Sequence, residues 1–302
     1  MSAEANAPLP IPDLGPPRPI EHLYIFHGFT LTPDYPPLWK NTADFAEKGF
    51  GIEAHVPALP NTDNPHPEEW EECMRETITD PASSIIVSQS LSGYNALRYI
   101  SHCKLDDPLW QLAGWIPLAS NLGYVGIPEI ADHFDSSWGG EMDVGAAFGT
   151  FIARTCLASL AVRQIALLYG AYDPFVYPAH GIALGQMLDA PVYIDPDEAH
   201  FSGPQSMYGR DIPLCEFNFT LAFLISKMIM NVAPEGRYDL SEGHTLQVDA
   251  PFMPSRDHPF PYSPAHWKEA LAHEEGRMGG DNKEGDPGPA PEPKQRRPRT
   301  HR

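Results

Sequence analysis

Basic residues are scarce in this chain. Its 302 residues carry 20 Lys and Arg against 40 Asp and Glu, a formal net charge of −20 at pH 7. A field of that sign repels phosphate backbones and anionic lipid headgroups, which are bound through clustered Lys and Arg. Neither nucleic acid nor a membrane surface is therefore expected as a partner. Cysteine is also sparse: Cys73, Cys103, Cys156 and Cys215 stand far apart. With no CxxC pair or Cys/His cluster that could close a zinc tetrahedron, a structural zinc site is not expected, and reduced thiols in a cytoplasmic protein are. No apolar run approaches the roughly 20 residues of a membrane-spanning helix. The opening MSAEANAPLPIPDLGPPRP has neither the basic start nor the apolar stretch of a secretory signal.

Proline and glycine, by contrast, are plentiful at 34 and 24 residues, and much of that excess sits at the two ends. Residues 1–19 read as a flexible Pro-rich leader. Residues 277–302 hold almost nothing apolar, cannot offset the entropy of ordering, and read as a disordered tail. The basic end of that tail, Lys294 to Arg302, reads as a solvated low-complexity end rather than a targeting signal. Between the ends, residues 20–235 read as the folded domain and residues 236–276 as a C-terminal extension. The aromatics of that extension, Phe252, Phe260, Tyr262 and Trp267, either pack back on the domain or contact a protein partner.

Within the domain, short apolar runs alternate with segments of helical period. The runs are His22–His27, Ile52–Ala58, Ser84–Val87, Leu112–Leu118, Gln164–Tyr169 and Pro191–Ile194. They are continuous rather than alternating, the pattern of strands buried on both faces. His66–Ile78 sets Trp70, Cys73, Met74 and Ile78 at three-four spacing, and Leu91–Cys103 does the same with Gly93, Leu97 and Ile100. This alternation predicts an α/β fold: a doubly wound, mostly parallel sheet of about six strands with helices on both faces. The crossover from Asn121 to Val162 is long, and its second half reads as an apolar helix. It is either a small cap, spanning 121–162, over a pocket or an ordinary crossover helix with a long loop.

The stretch SIIVSQSLSG at Ser84–Gly93 runs an apolar strand straight into a helix through Ser90. A nucleophile elbow needs such a turn, with small residues two before and two after the serine; here these are Ser88 and Ser92. The competing reading is a polar turn that caps a helix. A serine hydroxyl needs a base, and the base an orienting carboxylate. On a sheet of this kind the partners follow in the order Ser, Asp or Glu, His, on loops after later strands. Asp173 follows the fifth run and His200 the sixth, which gives the set Ser90, Asp173 and His200. Asp195, Asp197 and Glu198 are rival acids, read as solvated loop carboxylates; Asp195 and Asp197 with His200 make only a weak case for a metal.

The oxyanion of an acyl transfer needs two N–H donors, one from the residue after the nucleophile and one from the loop after an early strand. Leu91 and Phe29, the latter following Gly28, are the expected donors. His27 reads as a packed histidine. Of the nearby aromatics, Phe29, Trp39, Tyr94 and Phe175 fit a pocket wall or the core equally well.

These residues resemble the serine hydrolases of the α/β-hydrolase fold, and within them the small family containing retinoblastoma-binding protein 9 and the bacterial YdeN-like proteins. The resemblance spans about residues 20–232. It rests on HGF at His27–Phe29, LPNTDNPHPEEW at Leu59–Trp70, SQSLSG at Ser88–Gly93, YDPFVYP at Tyr172–Pro178 and EAHF at Glu198–Phe201. It implies hydrolysis of an acyl bond without metal or organic cofactor, with a triad on Ser90, Asp173 and His200. The chain departs from that pattern where Ser88 and Ser92 replace the usual glycines of the elbow and Gln89 the usual histidine. The expected function is a serine hydrolase acting on a small ester, thioester or amide through an acyl-enzyme intermediate. The competing expectation is a non-catalytic binding or scaffold protein that keeps the fold.

Overall fold

The structure, a computed structural model, describes residues 17–120, 144–207 and 210–232, without the side chains of 144–151 and 205–210. Most of the expected leader, the first half of the 121–162 crossover, the 236–276 extension and the 277–302 tail lie outside the described residues.

Seven strands form one sheet: β1 (His22–Phe26), β2 (Glu53–His55), β3 (Ser84–Gln89), β4 (Leu112–Leu118), β5 (Val162–Ile165), β6 (Leu167–Gly170) and β7 (Val192–Asp195). Their order is β2-β1-β3-β4-β6-β7, with β5 also on β4, and every pairing is parallel. β5 and β6 are two halves of one run, interrupted at Ala166, whose N–H donates to Trp115 O at 3.2 Å. The expected run Ile52–Ala58 contracts to three residues at the sheet edge. Pro57 has no N–H to give a ladder, which fits an early end to the strand. Outside this sheet, β8 (Gln205–Met207) and β9 (Arg210–Ile212) make a short antiparallel pair.

Side chains alternate across the central strands and so feed two separate cores. Leu23, Ile25, Ile85, Val87, Ile116, Leu118 and Leu168 meet α1 (Leu38–Phe50) and α6 (Phe219–Ile229) on one face. Tyr24, Phe26, Ile86, Trp115, Leu167 and Tyr169 meet four helices on the other: α2 (Pro67–Thr77), α3 (Leu91–Asp106), α4 (Val144–Ala161) and α5 (Pro178–Leu188). Each large apolar side chain buried this way contributes about 1.5–3 kcal/mol. Helices on both faces of a parallel sheet make the doubly wound α/β class expected from the strand runs.

Helix α3 is buried on almost every side from Leu91 to Ser101, well beyond the narrow stripe expected, because α2 and α4 both pack on it. Its Arg98 reaches Glu71 of α2, which also accepts from Arg75 and His102, so this buried carboxylate is fully compensated. The apolar second half of the crossover is helix α4, as expected. No helix among the described residues is long and apolar enough to cross a membrane.

From β1 the chain moves outward to β2 and then returns to β3 on the other side of β1. In an open α/β sheet, the crevice beyond the carboxyl ends of two such strands is where ligands sit. Gly28 and Phe29 follow β1 at that edge, and Ser90 follows β3.

Candidate active site

Ser90 joins β3 directly to α3 with φ 57° and ψ −122°, a conformation costly for a residue with a side chain. Its N–H donates to Leu118 O at 2.9 Å, and its carbonyl accepts from Gly93 N–H at 3.0 Å, which locks the turn between β4 and the first turn of α3. Leu91 opens that helix, so its N–H belongs to the end where backbone donors have no intrahelical acceptor and the helix dipole favours negative charge.

The residues flanking the serine are accommodated rather than disruptive. Ser88 Oγ accepts from Trp115 Nε1 at 2.8 Å, and Ser88 O accepts from Ser120 Oγ at 2.9 Å. Ser92 Oγ donates to Phe26 O at 2.7 Å and to Gln89 O at 2.9 Å. Both hydroxyls are thus buried with partners, and the strict demand for glycine falls one place later. A Cβ on Gly93 would collide with the Ser120 side chain.

Asp173 lies in the turn after β6 and is almost wholly buried. Its Oδ1 accepts from the N–H groups of Phe175 at 2.8 Å and Val176 at 2.9 Å, and its Oδ2 lies 2.7 Å from Nδ1 of the buried His200. A carboxylate only accepts, so Nδ1 carries the proton and Nε2 becomes the basic nitrogen. Phe175 sets its ring edge-on to the imidazole, with centroids 5.0 Å apart at 70°.

The loops carrying these two residues interlock. Ala171 N–H donates to Asp195 O at 2.9 Å and Tyr172 N–H to Glu198 O at 3.1 Å, while a Cβ on Gly170 would strike the Glu198 and Ala199 backbone. The elbow joins them through Gln89, whose Nε2 donates to His200 O at 2.9 Å.

Gly28 packs against the same turn: a Cβ there would meet the Gln89 side-chain oxygen and stand 2.9 Å from Ser90 Cβ. The expected donor residues Phe29 and Leu91 are thus the chain neighbours of two residues that pack together, Gly28 and Ser90. Thr30, Ser90, Ala119 and Phe201, all non-glycine residues with φ between 45° and 59°, lie just beyond β1, β3, β4 and His200. Backbone strain of this kind gathers at functional sites and persists only where the surroundings over-determine it.

The remaining candidates are committed elsewhere. His27 is buried, accepts from Leu59 N–H through Nε2 at 3.4 Å, and is held below the usual imidazole range by burial, the packed histidine expected. Trp39 and Tyr94 belong to the core, and Phe29 and Phe175 are only partly buried. Asp195 and Glu198 are not solvated loop carboxylates. Asp195 Oδ2 accepts from Asn218 Nδ2 at 3.0 Å and Thr220 Oγ1 at 3.2 Å, and Glu198 Oε1 accepts from Cys215 Sγ at 3.0 Å, so both hold the start of α6. Asp195, Asp197 and His200 form no ligand cluster.

His180 of α5 escaped the sequence reading, where it looks like helix filler. It is buried in the field of the Asp173 carboxylate. Burial takes its pKa down to about 4, and the Asp173 charge pulls the other way.

No protein-family model matches this chain, and no curated protein matches it. Solved structures do. The ydeN gene product of B. subtilis superposes with a TM-score of 0.55 at 16% identity, over 70% of this chain and 99% of its own. A monoacylglycerol lipase from Paleococcus ferrophilus gives 0.47 at 13% identity, over 71% and 96%. A YdeN-like hydrolase from Pectobacterium atrosepticum gives 0.42 at 10% identity, over 71% and 94%. At these identities the likeness is one of fold. The first of these, together with the parallel sheet and its flanking helices, makes this an α/β-hydrolase fold.

Proposed function

We propose that this chain is a serine hydrolase that cleaves a small ester, thioester or amide. Ser90 Oγ attacks the acyl carbon while His200 Nε2 takes the hydroxyl proton, and Asp173 holds the imidazole in the required tautomer and supports the imidazolium that forms. The tetrahedral oxyanion is met by the N–H groups of Leu91 and Phe29, each such donor being worth about 2.7–4 kcal/mol in the transition state. The imidazolium then protonates the leaving alcohol, thiol or amine. Water, deprotonated by the same nitrogen, releases the acid from acyl-Ser90 and restores the hydroxyl. Proton transfer and hydrogen bonding suffice for this route.

The observation that carries the proposal is the linkage at the elbow. A serine in strained backbone is joined, through the neighbouring Gln89, to a histidine that is itself bonded to a buried aspartate. The test is labelling of purified protein with a fluorophosphonate, with the adduct located by peptide mass spectrometry. An adduct on Ser90, absent from Ser90→Ala and strongly slowed in His200→Ala, is the expected result. A folded protein that never labels would instead be a non-catalytic binding module on a hydrolase frame.

A further inference from the structure

Three metal-ligating side chains meet at the amino end of β1, the end away from Ser90. His22 opens β1, and Glu53 and His55 lie two residues apart on β2. The parallel register pairs His22 with Glu53 and Tyr24 with His55. The two-residue period then puts all four on one face of the sheet. One ligand atom each from His22, Glu53 and His55 lies within 4.8 Å of the others, the single such trio of His, Cys, Asp or Glu among the described residues. Glu53 Oε2 stands 3.4 Å from His22 Nδ1 and 3.8 Å from His55 Nε2. Bonds of about 2.0–2.2 Å to a tetrahedral ion separate its ligand atoms by roughly 3.3–3.6 Å, so two spacings are already close to what zinc requires.

A second observation points the same way. His22 Nδ1 is shut off from solvent yet makes no hydrogen bond, and a buried polar nitrogen left so is rare enough to need a cause. Tyr24 stacks on the His55 ring at 4.8 Å and 16°, which fixes the plane of that imidazole. The side chains of His55 and Glu53 are 40% and 73% exposed, so an ion has a way in. The excess of acidic residues over the whole chain favours its approach.

We propose that His22, Glu53 and His55 form a binding site for a divalent transition metal, zinc in the first instance. Two imidazoles and a carboxylate suit zinc, whereas magnesium and calcium prefer oxygen ligands throughout. Three protein ligands leave a fourth position for water. The ion ties the three-residue edge strand β2 to β1, and because it binds the folded chain it raises the unfolding temperature. The site stands apart from Ser90 and does not depend on the hydrolase reading.

The test uses the full chain, stripped with chelator and titrated with zinc chloride by calorimetry, with cobalt(II) absorption as a second readout. One equivalent is expected at this site, accompanied by an upward shift in Tm. Glu53→Gln and His55→Ala are each expected to weaken binding more than about tenfold, since outer-sphere partners alone are worth 10–100-fold. His22→Ala should do the same. If it fails to fold, the two edge-strand variants still decide, because their side chains lie outside the core. Fluorophosphonate labelling should be unaltered in these variants. The chain has 13 histidines, so binding as tight in Glu53→Gln and His55→Ala as in the parent would assign the ion elsewhere and overturn the proposal. So would an absence of binding by the parent.

Discussion

The side-chain amide of Gln89 donates to the backbone carbonyl of His200 across 2.9 Å, so the residue before the elbow serine holds the loop that carries the imidazole. Gln89→Leu removes that bond at nearly constant volume. A net hydrogen bond of about 0.5–1.4 kcal/mol, realised in placing the base, corresponds to a rate of Ser90 labelling roughly two- to tenfold lower. The loss should fall on kcat for a model ester and spare KM. A rate equal to the parent would mean that Gln89 has no part in positioning His200.

Asp173→Asn tests orientation with little change in shape. The asparagine oxygen can still accept from the Phe175 and Val176 N–H groups, which now serve Asp173 Oδ1. Its amide, however, presents a donor to His200 Nδ1 and drives the proton to Nε2, the nitrogen that acts as base in the proposed reaction. The cost of such a tautomer switch is about 10⁴ in kcat, while Tm should stay close to the parent value. Steady-state hydrolysis measured beside a thermal melt separates the two effects.

The parallel sheet is legible in the sequence because strands buried on both faces are continuous apolar runs, and β1, β3 and β4 fall where Leu23, Ile85 and Leu112 announce them. The candidate residues are legible too, because the order Ser90, Asp173, His200 follows from which strand precedes each. Long-range pairing is not. Nothing local in Gln89 says that it will meet a carbonyl 111 residues away. The trio of His22, Glu53 and His55 depends on the register between two strands, which no single stretch encodes. Helix α1 hides for a different reason: its buried stripe is filled out with Thr42, Ala43 and Ala46, small residues that carry little hydropathy signal.

Gly28→Ala tests the second oxyanion donor through the backbone. The added methyl has nowhere to go, since it meets the Gln89 side-chain oxygen and lies 2.9 Å from Ser90 Cβ. Either the Gly28–Phe29 segment or the facing elbow shifts, which disturbs the proposed alignment of the Phe29 N–H with the serine. Loss of one donor lowers kcat by about 10²–10³. Turnover of a model ester should fall by that factor in a protein that still shows a cooperative melt. Turnover within a factor of two of the parent would remove Phe29 from the proposed oxyanion hole.

His180 should make the protein sensitive to mild acid. Its folded pKa, taken down to about 4 by burial against the Asp173 charge, lies below the ordinary value of 6.5 that the unfolded chain would show. Between these values the unfolded chain holds a proton that the folded chain does not, so stability falls as pH drops from 6.5 towards 4 and levels off below. One pKa difference of this size amounts to about 3 kcal/mol over the whole window, and about 2 kcal/mol by pH 5. Urea melts at pH 7 and pH 5 on the parent and on His180→Asn give the test. His27, shifted down in the same way, is present in both proteins and cancels in the comparison. The parent should lose about 2 kcal/mol more than the variant between the two pH values. Equal losses would mean that His180 takes up its proton in the folded chain as readily as in the unfolded one, and that the imidazole is not kept neutral beside Asp173.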